Sequence, residues 1–382
     1  MVYSHDARGY AHIMMAPPLG RAPDWGLRSA AQSSLDRALG QAVREVRLLG
    51  AVTPTNLTEE RERLARDLER GRPATPRYVY APVQRMELRR MLEALTSRVD
   101  DVMPASLARV YRARIAELHL EARIAEASGS PRLGMLCRAR FEEKDAELSL
   151  GAHLRSEEWL SLPRAESLEA MRAERIPSDS RDPESLLSVM RRAVGAARLP
   201  FTVEVSEALS SRAATGARTI WVAKGRLLSA TETRRTVVHE LEGHAGPRAR
   251  SANKPPIFAI GTARGTDDQE GLALLFEERH GLLDDERRRE LAGRHWAVEQ
   301  MDDASFADVV KALVTEHGFS REAALGITER AFRGSNGRGP GLGRERVYIG
   351  AWLRVRAHLA HRPADEEVLA SGQVALGAIG AL

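Results

Sequence analysis

The sequence has 382 residues, and its net charge is only +4 because 57 lysines and arginines nearly balance 53 aspartates and glutamates. The two signs are interleaved along the chain, which argues against a nucleic-acid partner. A single cysteine, Cys137, excludes an intramolecular disulfide and a cysteine-rich zinc module. No apolar run approaches the roughly 20 residues of a membrane span, and residues 1–26 lack the order of a signal peptide. We therefore expect a cytoplasmic protein without a membrane partner.

The first half of the chain is predicted to be helical. Residues 1–25 contain several prolines and glycines with little apolar periodicity, which predicts a flexible N-terminal arm. In residues 26–182, apolar side chains recur at intervals of three and four, as in helices that pack on one face. The clearest stretches are Leu35–Leu49, Met86–Val99 and Leu107–Ala127. A proline and two serines in Ala173–Asp182 place a domain boundary there.

The pattern changes within residues 183–382. Phe201–Val205 and Arg218–Ala223 are rich in β-branched residues and predict the strands of a small sheet. An extended peptide could pair with the edge of this sheet, and a sheet that only supports the next helix is the open alternative. Ser229 with Glu232 forms a capping-box pattern that predicts where that helix begins.

Helices are predicted again after residue 281. Their periodic stretches are Asp285–Met301, Phe306–His317 and Glu322–Phe332. A glycine-rich segment follows at 334–343, and it lacks the pattern of a phosphate-binding loop. We expect it to form a flexible rim.

A cluster of metal-binding residue types lies in the helix after the predicted strands. Residues 237–245 read V-V-H-E-L-E-G-H-A, with His239, Glu240 and His244, and Glu270 follows at the start of another apolar stretch. Imidazole and carboxylate groups complete many catalytic zinc sites. Taken alone, the histidines could equally be structural, and Glu270 could instead close a capping box with Asp267. Their combination predicts a three-ligand zinc site.

The spacing of the two histidines is unusual. Residues five apart diverge by roughly 140° on a regular α-helix, so one ion can bind both only if the backbone departs from α geometry. A π-type bulge would bring them together. The alternative is a helix that ends near Gly243, and Gly246-Pro247 favours this second option because neither residue continues a helix well.

These motifs resemble the microtubule-associated tyrosine carboxypeptidase family and its bacterial relatives. The resemblance rests on H-E-L-E-G-H at 239–244 and Q-E-G-L-A at 269–273, and it spans roughly residues 200–360. It continues in two later segments, I-T-E-R-A-F-R-G at 327–334 and R-E-R-V-Y-I-G at 344–350. The chain departs from the family pattern at Glu242 and in the segment that follows His244.

The resemblance implies a set of functional residues. It implies His239, His244 and Glu270 as ligands of one Zn²⁺ and Glu240 as the catalytic acid and base. Zinc would supply one donor to the developing oxyanion, and we expect Tyr348 to supply another. The candidates for recognition of a substrate carboxylate by family position are Arg330, Arg333 and Arg344. The fold expected is mainly helical α+β, with a helical N-terminal half and a zincin-like catalytic half whose small sheet lies beside the metal-binding helix.

The expected function is a zinc-dependent carboxypeptidase that releases a C-terminal, possibly aromatic, residue from a peptide or protein. Two alternatives are open. One is an endopeptidase or a processing peptidase for a small ribosomal peptide. The other is a non-catalytic helical binding protein with a degenerate metal site, for which Glu242 and the altered segment after His244 are the support.

Overall fold

A computed structural model describes residues 28–163, 175–207, 209 and 211–382. The predicted N-terminal arm lies outside these residues, as does the start of the predicted boundary at 173–182. The described chain divides into two compact units. Of the described residues, unit 1 draws on those within 175–284 and on Val355–Ile379, and unit 2 draws on residues 29–163, Asp285–Arg354 and Gly380–Leu382. The functional division after residue 182 stays a prediction.

Helices dominate both ends of the described chain. Before the strands lie α1 (Ala30–Val46), α2 (Leu48–Ala51), α3 (Leu57–Glu69), α4 (Met86–Val102), α5 (Ala105–Glu126), α6 (Leu133–Phe141) and α7 (Ala146–Leu160). The central elements are β1 (Ile176–Pro177), α8 (Leu186–Ala196), β2 (Thr202–Ser206), β3 (Ala213–Thr215), β4 (Thr219–Ala223), β5 (Leu227–Leu228), α9 (Ala230–Val238), a π-helix (His239–Ala245), α10 (Gly246–Ser251), α11 (Pro256–Ile260) and α12 (Gly265–Arg279). The last elements are α13 (Asp285–Gln300), α14 (Phe306–Thr315), α15 (Arg321–Ala331), a 3₁₀ turn (Arg344–Arg346), α16 (Val347–His361), α17 (Asp365–Leu369) and a second 3₁₀ segment (Leu376–Ala381).

This element content confirms the predicted mainly helical α+β class. The zincin-like detail of that prediction stays a prediction. Within the described ranges, no helix combines the length and the apolar character needed to cross a lipid bilayer.

The sheet of unit 1 has the order β2–β4–β3. β2 runs parallel to β4, with Thr202 opposite Thr219, and β3 runs antiparallel to β4, with Ala214 opposite Trp221. The two strands predicted from β-branched residues are confirmed. The sequence did not predict β3, because its Ala-Ala-Thr composition has little intrinsic preference for a strand and only pairing with β4 makes it one.

The core of unit 1 lies between this sheet and two helical segments. Ile220 and Val222 on β4 pack with residues of α8 and with Val237 and Leu241 of the following helical run. The run begins at the predicted residue: Ser229 accepts a hydrogen bond from the Glu232 amide, and the Glu232 side chain accepts one from the Ser229 amide. This capping box satisfies two amides that the helix cannot pair internally. The helical run that carries His239 and His244 therefore begins at Ser229 and packs against the sheet.

Unit 2 has its own apolar cores. One joins α3 to α13, α14 and α15, with Phe306 and Phe332 at its centre. The glycine-rich segment 334–343 is packed within unit 2, and it does not form the flexible rim that was predicted. Gly337 accepts a hydrogen bond from the Phe306 amide, and a Cβ atom at Gly341 would overlap the backbone of Phe332. Close backbone packing of this kind is possible only for glycine.

Candidate metal centre

His239 and His244 lie on the same face of the chain because the helix becomes a π-helix between them. The π-helix spans His239–Ala245, and the Gly246 amide donates to the Leu241 carbonyl, five residues earlier. In this geometry residues five apart are neighbours on one face. The alternative that the sequence favoured, a helix ending near Gly243, is wrong. Pro247 lies at the start of α10, directly after the π-helix, and does not end the helical run.

The two imidazoles and Glu270 converge on one point. His239 Nε2 lies 3.3 Å from His244 Nε2 and 3.3 Å from Glu270 Oε2, and His244 Nε2 lies 3.8 Å from Glu270 Oε2. Ligand atoms about 2.0–2.1 Å from a tetrahedral ion are about 3.3 Å apart. The donor types and their separations therefore fit a single divalent cation. Such a set of three donor atoms occurs once among the described residues.

Glu270 is held in place by α12 and does not cap it. The helix begins at Gly265, and its N-cap residue, Arg264, makes no side-chain capping bond. Glu270 thus lies beyond the first turn and is buried. The capping-box alternative for Glu270 and Asp267 is wrong, because the helix starts too early for Asp267 to occupy the cap.

Gly243 allows the π-helix to lie close to α12. A Cβ atom at this position would overlap the Cβ of Ala273, which is fully buried on α12. Gly243 lies between the two histidines along the chain, and Ala273 lies one helical turn after Glu270. The close contact therefore brings the π-helix that carries the histidines close to the helix that carries Glu270.

Each histidine is oriented from behind by a side chain of α12. Glu277 Oε1 lies 2.7 Å from His239 Nδ1, and Gln269 Oε1 lies 3.1 Å from His244 Nδ1. An oxygen acceptor at Nδ1 places the proton of a neutral imidazole on that nitrogen. Both Nε2 atoms are then available as ligands.

The cluster holds a proton where a cation would bind. Burial disfavours the charged form of His239, but hydrogen bonds with Glu270 and Glu277 outweigh burial and raise its pKa to about 10. Two carboxylates thus surround an imidazole in the interior of unit 1. This excess of negative charge suits a divalent cation.

Glu240 follows directly after His239 and is fixed by the sheet. Its Oε2 atom accepts a hydrogen bond of 2.8 Å from Thr215 Oγ1 on β3, and the side chain is 6% exposed. Glu242, which departs from the family pattern, is not part of the three-ligand cluster. Its carboxyl lies 2.9 Å from His280 Nε2.

Residues 67–382 match the family model described as microtubule-associated tyrosine carboxypeptidase, and this range covers most of the chain. The chain belongs to this carboxypeptidase family. The comparison with curated proteins gave no match. Family membership confirms the resemblance and extends it, since the motifs alone covered only residues from about 200 onward. A member of the tyrosine carboxypeptidase family is a carboxypeptidase-type peptidase, with a peptide or protein as substrate.

The remaining residues predicted from the carboxypeptidase family lie in unit 2 and surround Glu345. Arg330 Nε is 3.1 Å from Glu345 Oε1, and Arg294 Nη1 is 3.6 Å from Glu345 Oε2. Burial would raise the pKa of Glu345, but these cations together with Arg333 and Arg344 hold it below its usual value. Tyr348 is buried in the same region of unit 2. Their roles toward a substrate stay predictions.

The sequence did not predict three residues whose side chains contact His239, His244 or Glu240. Glu277 lies seven residues after Glu270, which is two turns along the same face of α12, so an acid at this interval was the available signal. Gln269 belongs to the Q-E-G-L-A motif at 269–273, but no role was predicted for it. No sequence pattern pointed to Thr215, because it lies 25 residues before Glu240, which it contacts.

Proposed function

We propose that the chain is a zinc-dependent carboxypeptidase that releases the C-terminal residue of a peptide or protein. One observation carries the proposal: two imidazole nitrogens and one carboxylate oxygen lie 3.3–3.8 Å from one another, next to a buried glutamate, in a member of a carboxypeptidase family. His239, His244 and Glu270 would hold the ion, and three protein ligands leave a position for water.

A zinc ion held by these residues would supply a Lewis acid and would lower the pKa of a bound water to roughly 7. Glu240 would take a proton from the attacking water and return it to the departing amine. Thr215 Oγ1 donates to Oε2 of Glu240, which would fix the carboxylate and leave Oε1 to take the proton. Glu277 and Gln269 would orient the two histidines so that each Nε2 atom faces the ion.

The family resemblance supports further parts of the proposal. Tyr348 is the candidate for a hydrogen-bond donor to the developing oxyanion. Arg330, Arg333 and Arg344 are the family candidates for carboxylate recognition, since guanidinium can bind both oxygens of a carboxylate. A preference for an aromatic residue at the substrate C-terminus follows from the family description alone.

The test compares matched peptides with a free and an amidated C-terminus. We expect the free form to lose one residue and the amidated form to resist, with products identified by mass spectrometry. Removing the metal with a chelator should stop the reaction, and adding zinc should restore it. Glu240→Gln should retain zinc and lose at least 100-fold in kcat. Equal cleavage of both peptides would instead indicate an endopeptidase, and an inactive protein that binds no zinc would indicate a binding protein.

A further inference from the structure

Arg248 lies one turn beyond the second histidine on the same helical run. α9, the π-helix and α10 follow one another without interruption from Ala230 to Ser251. Residues four apart lie on the same face of a helix, and helical side chains lean toward the N-terminus. By this spacing Arg248 is expected on the same face of the run as His244, one turn further along.

The guanidinium of Arg248 has no hydrogen-bond acceptor or carboxylate partner within the described ranges. The side chain is partly buried, and this burial alone lowers the pKa of Arg248. A cation removed from water without a counter-charge is costly, so the position favours an anion supplied from outside.

Other arginines near Arg248 in sequence are already bound. Arg250 Nε donates to the Ala370 carbonyl at 2.5 Å, and Arg235 Nε donates to the Leu282 carbonyl at 2.8 Å. Arg330, one of the three arginines predicted to bind a substrate carboxylate, forms an ion pair with Glu345 in unit 2. Arg248 differs from them because its guanidinium N–H groups have no hydrogen-bond acceptor among the described residues.

We infer that Arg248 binds the α-carboxylate of the peptide whose C-terminal residue is removed. This inference rests on the proposed function. The carboxylate of a C-terminal residue lies one residue, roughly 3.5 Å, beyond the bond that is cleaved. One helical turn is about 5.4 Å, so an arginine one turn beyond a metal ligand has the reach to bind it. The planar fork of guanidinium can bind both carboxylate oxygens and so selects a free C-terminus.

The first experiment measures kcat/KM for one peptide as the free acid and as the amide. Wild type should prefer the free acid. Arg248→Gln should lose roughly 10- to 100-fold of that preference, mainly through KM of the free acid, with little change for the amide. Arg248→Lys, which keeps the charge without the fork, should recover part of it. Arg234→Gln is the matched control, because Arg234 is an exposed arginine on the same helical run.

The second experiment does not require turnover. In zinc-loaded Glu240→Gln protein, calorimetry should show tighter binding of the free-acid peptide than of the amide, and Arg248→Gln should remove the difference. Binding that depends on Arg248 would uphold the inference even if wild type cleaves neither peptide, in which case only the proposed function fails. If wild type prefers the free acid and Arg248→Gln keeps that preference, the inference is overturned and the proposed function stands. Loss of bound zinc from both Arg248 variants would also overturn it, since a structural role would then explain the effect.

Discussion

The Nδ1 atom of His239 lies 2.7 Å from Oε1 of Glu277, a carboxylate with no solvent exposure. This contact gives His239 an anionic partner, whereas His244 has the neutral amide of Gln269. Glu277 and Glu270 lie seven residues apart on α12, so a single helix supplies both a candidate ligand and the residue that orients another candidate ligand. The centre therefore depends on α12 as much as on the π-helix.

Glu277→Gln should weaken zinc binding about 10- to 100-fold, because the ring of His239 loses its charged acceptor. Competition with a chromophoric chelator measures the affinity. Glu278→Gln is the control, since it makes the same change at the next position, where the side chain is partly exposed. Equal affinity in Glu277→Gln and wild type would show that the contact does not support metal binding.

Gly243→Ala should destabilise the protein by about 1–3 kcal/mol, because the new methyl group overlaps Ala273 and separates the π-helix from α12. Zinc affinity should fall in the same variant. The double variant Gly243→Ala with Ala273→Gly restores the space and should recover part of both losses. Chemical denaturation and metal titration give the two values, and independent effects of the two substitutions would contradict the close contact.

Thr215→Val should reduce kcat about 10- to 100-fold while zinc content stays unchanged, because Glu240 loses the hydrogen bond that fixes its carboxylate. Thr215→Ser keeps the hydroxyl and should retain most of the activity. Steady-state kinetics with metal analysis separates the two effects. A Thr215→Ser variant as impaired as Thr215→Val would mean that the methyl group, and not the hydrogen bond, matters.

Glu242→Gln should stabilise the metal-free protein at alkaline pH. Burial raises the pKa of Glu242 from 4.5 to about 7, so folding favours its neutral form. The resulting cost is absent below pH 4.5, grows as the pH rises to about 7 and is complete above that value. We expect a gain of about 1–3 kcal/mol in the free energy of unfolding at pH 8 and a much smaller one at pH 5. Urea denaturation at both values measures it, and a gain that is equal at the two pH values would contradict the ionisation argument.

The sequence by itself determined the family, the mainly helical class and the residue types of the candidate metal centre. His239, Glu240 and His244 were recognisable because they lie within six residues, and Ser229 with Glu232 fixed the start of their helix by a local hydrogen-bond pattern. Local spacing carries such information because neighbouring residues meet whatever the rest of the chain does.

The tertiary structure alone decided how two histidines five residues apart come to lie side by side. Gly246-Pro247 favoured a helix end, yet the π-helix continues into α10 because its buried face packs against α12 and the core of unit 1. Thr215 and Glu277 meet the centre from elements 25 and 38 residues away. No local propensity encodes such contacts, since they form only when separate helices and strands pack together.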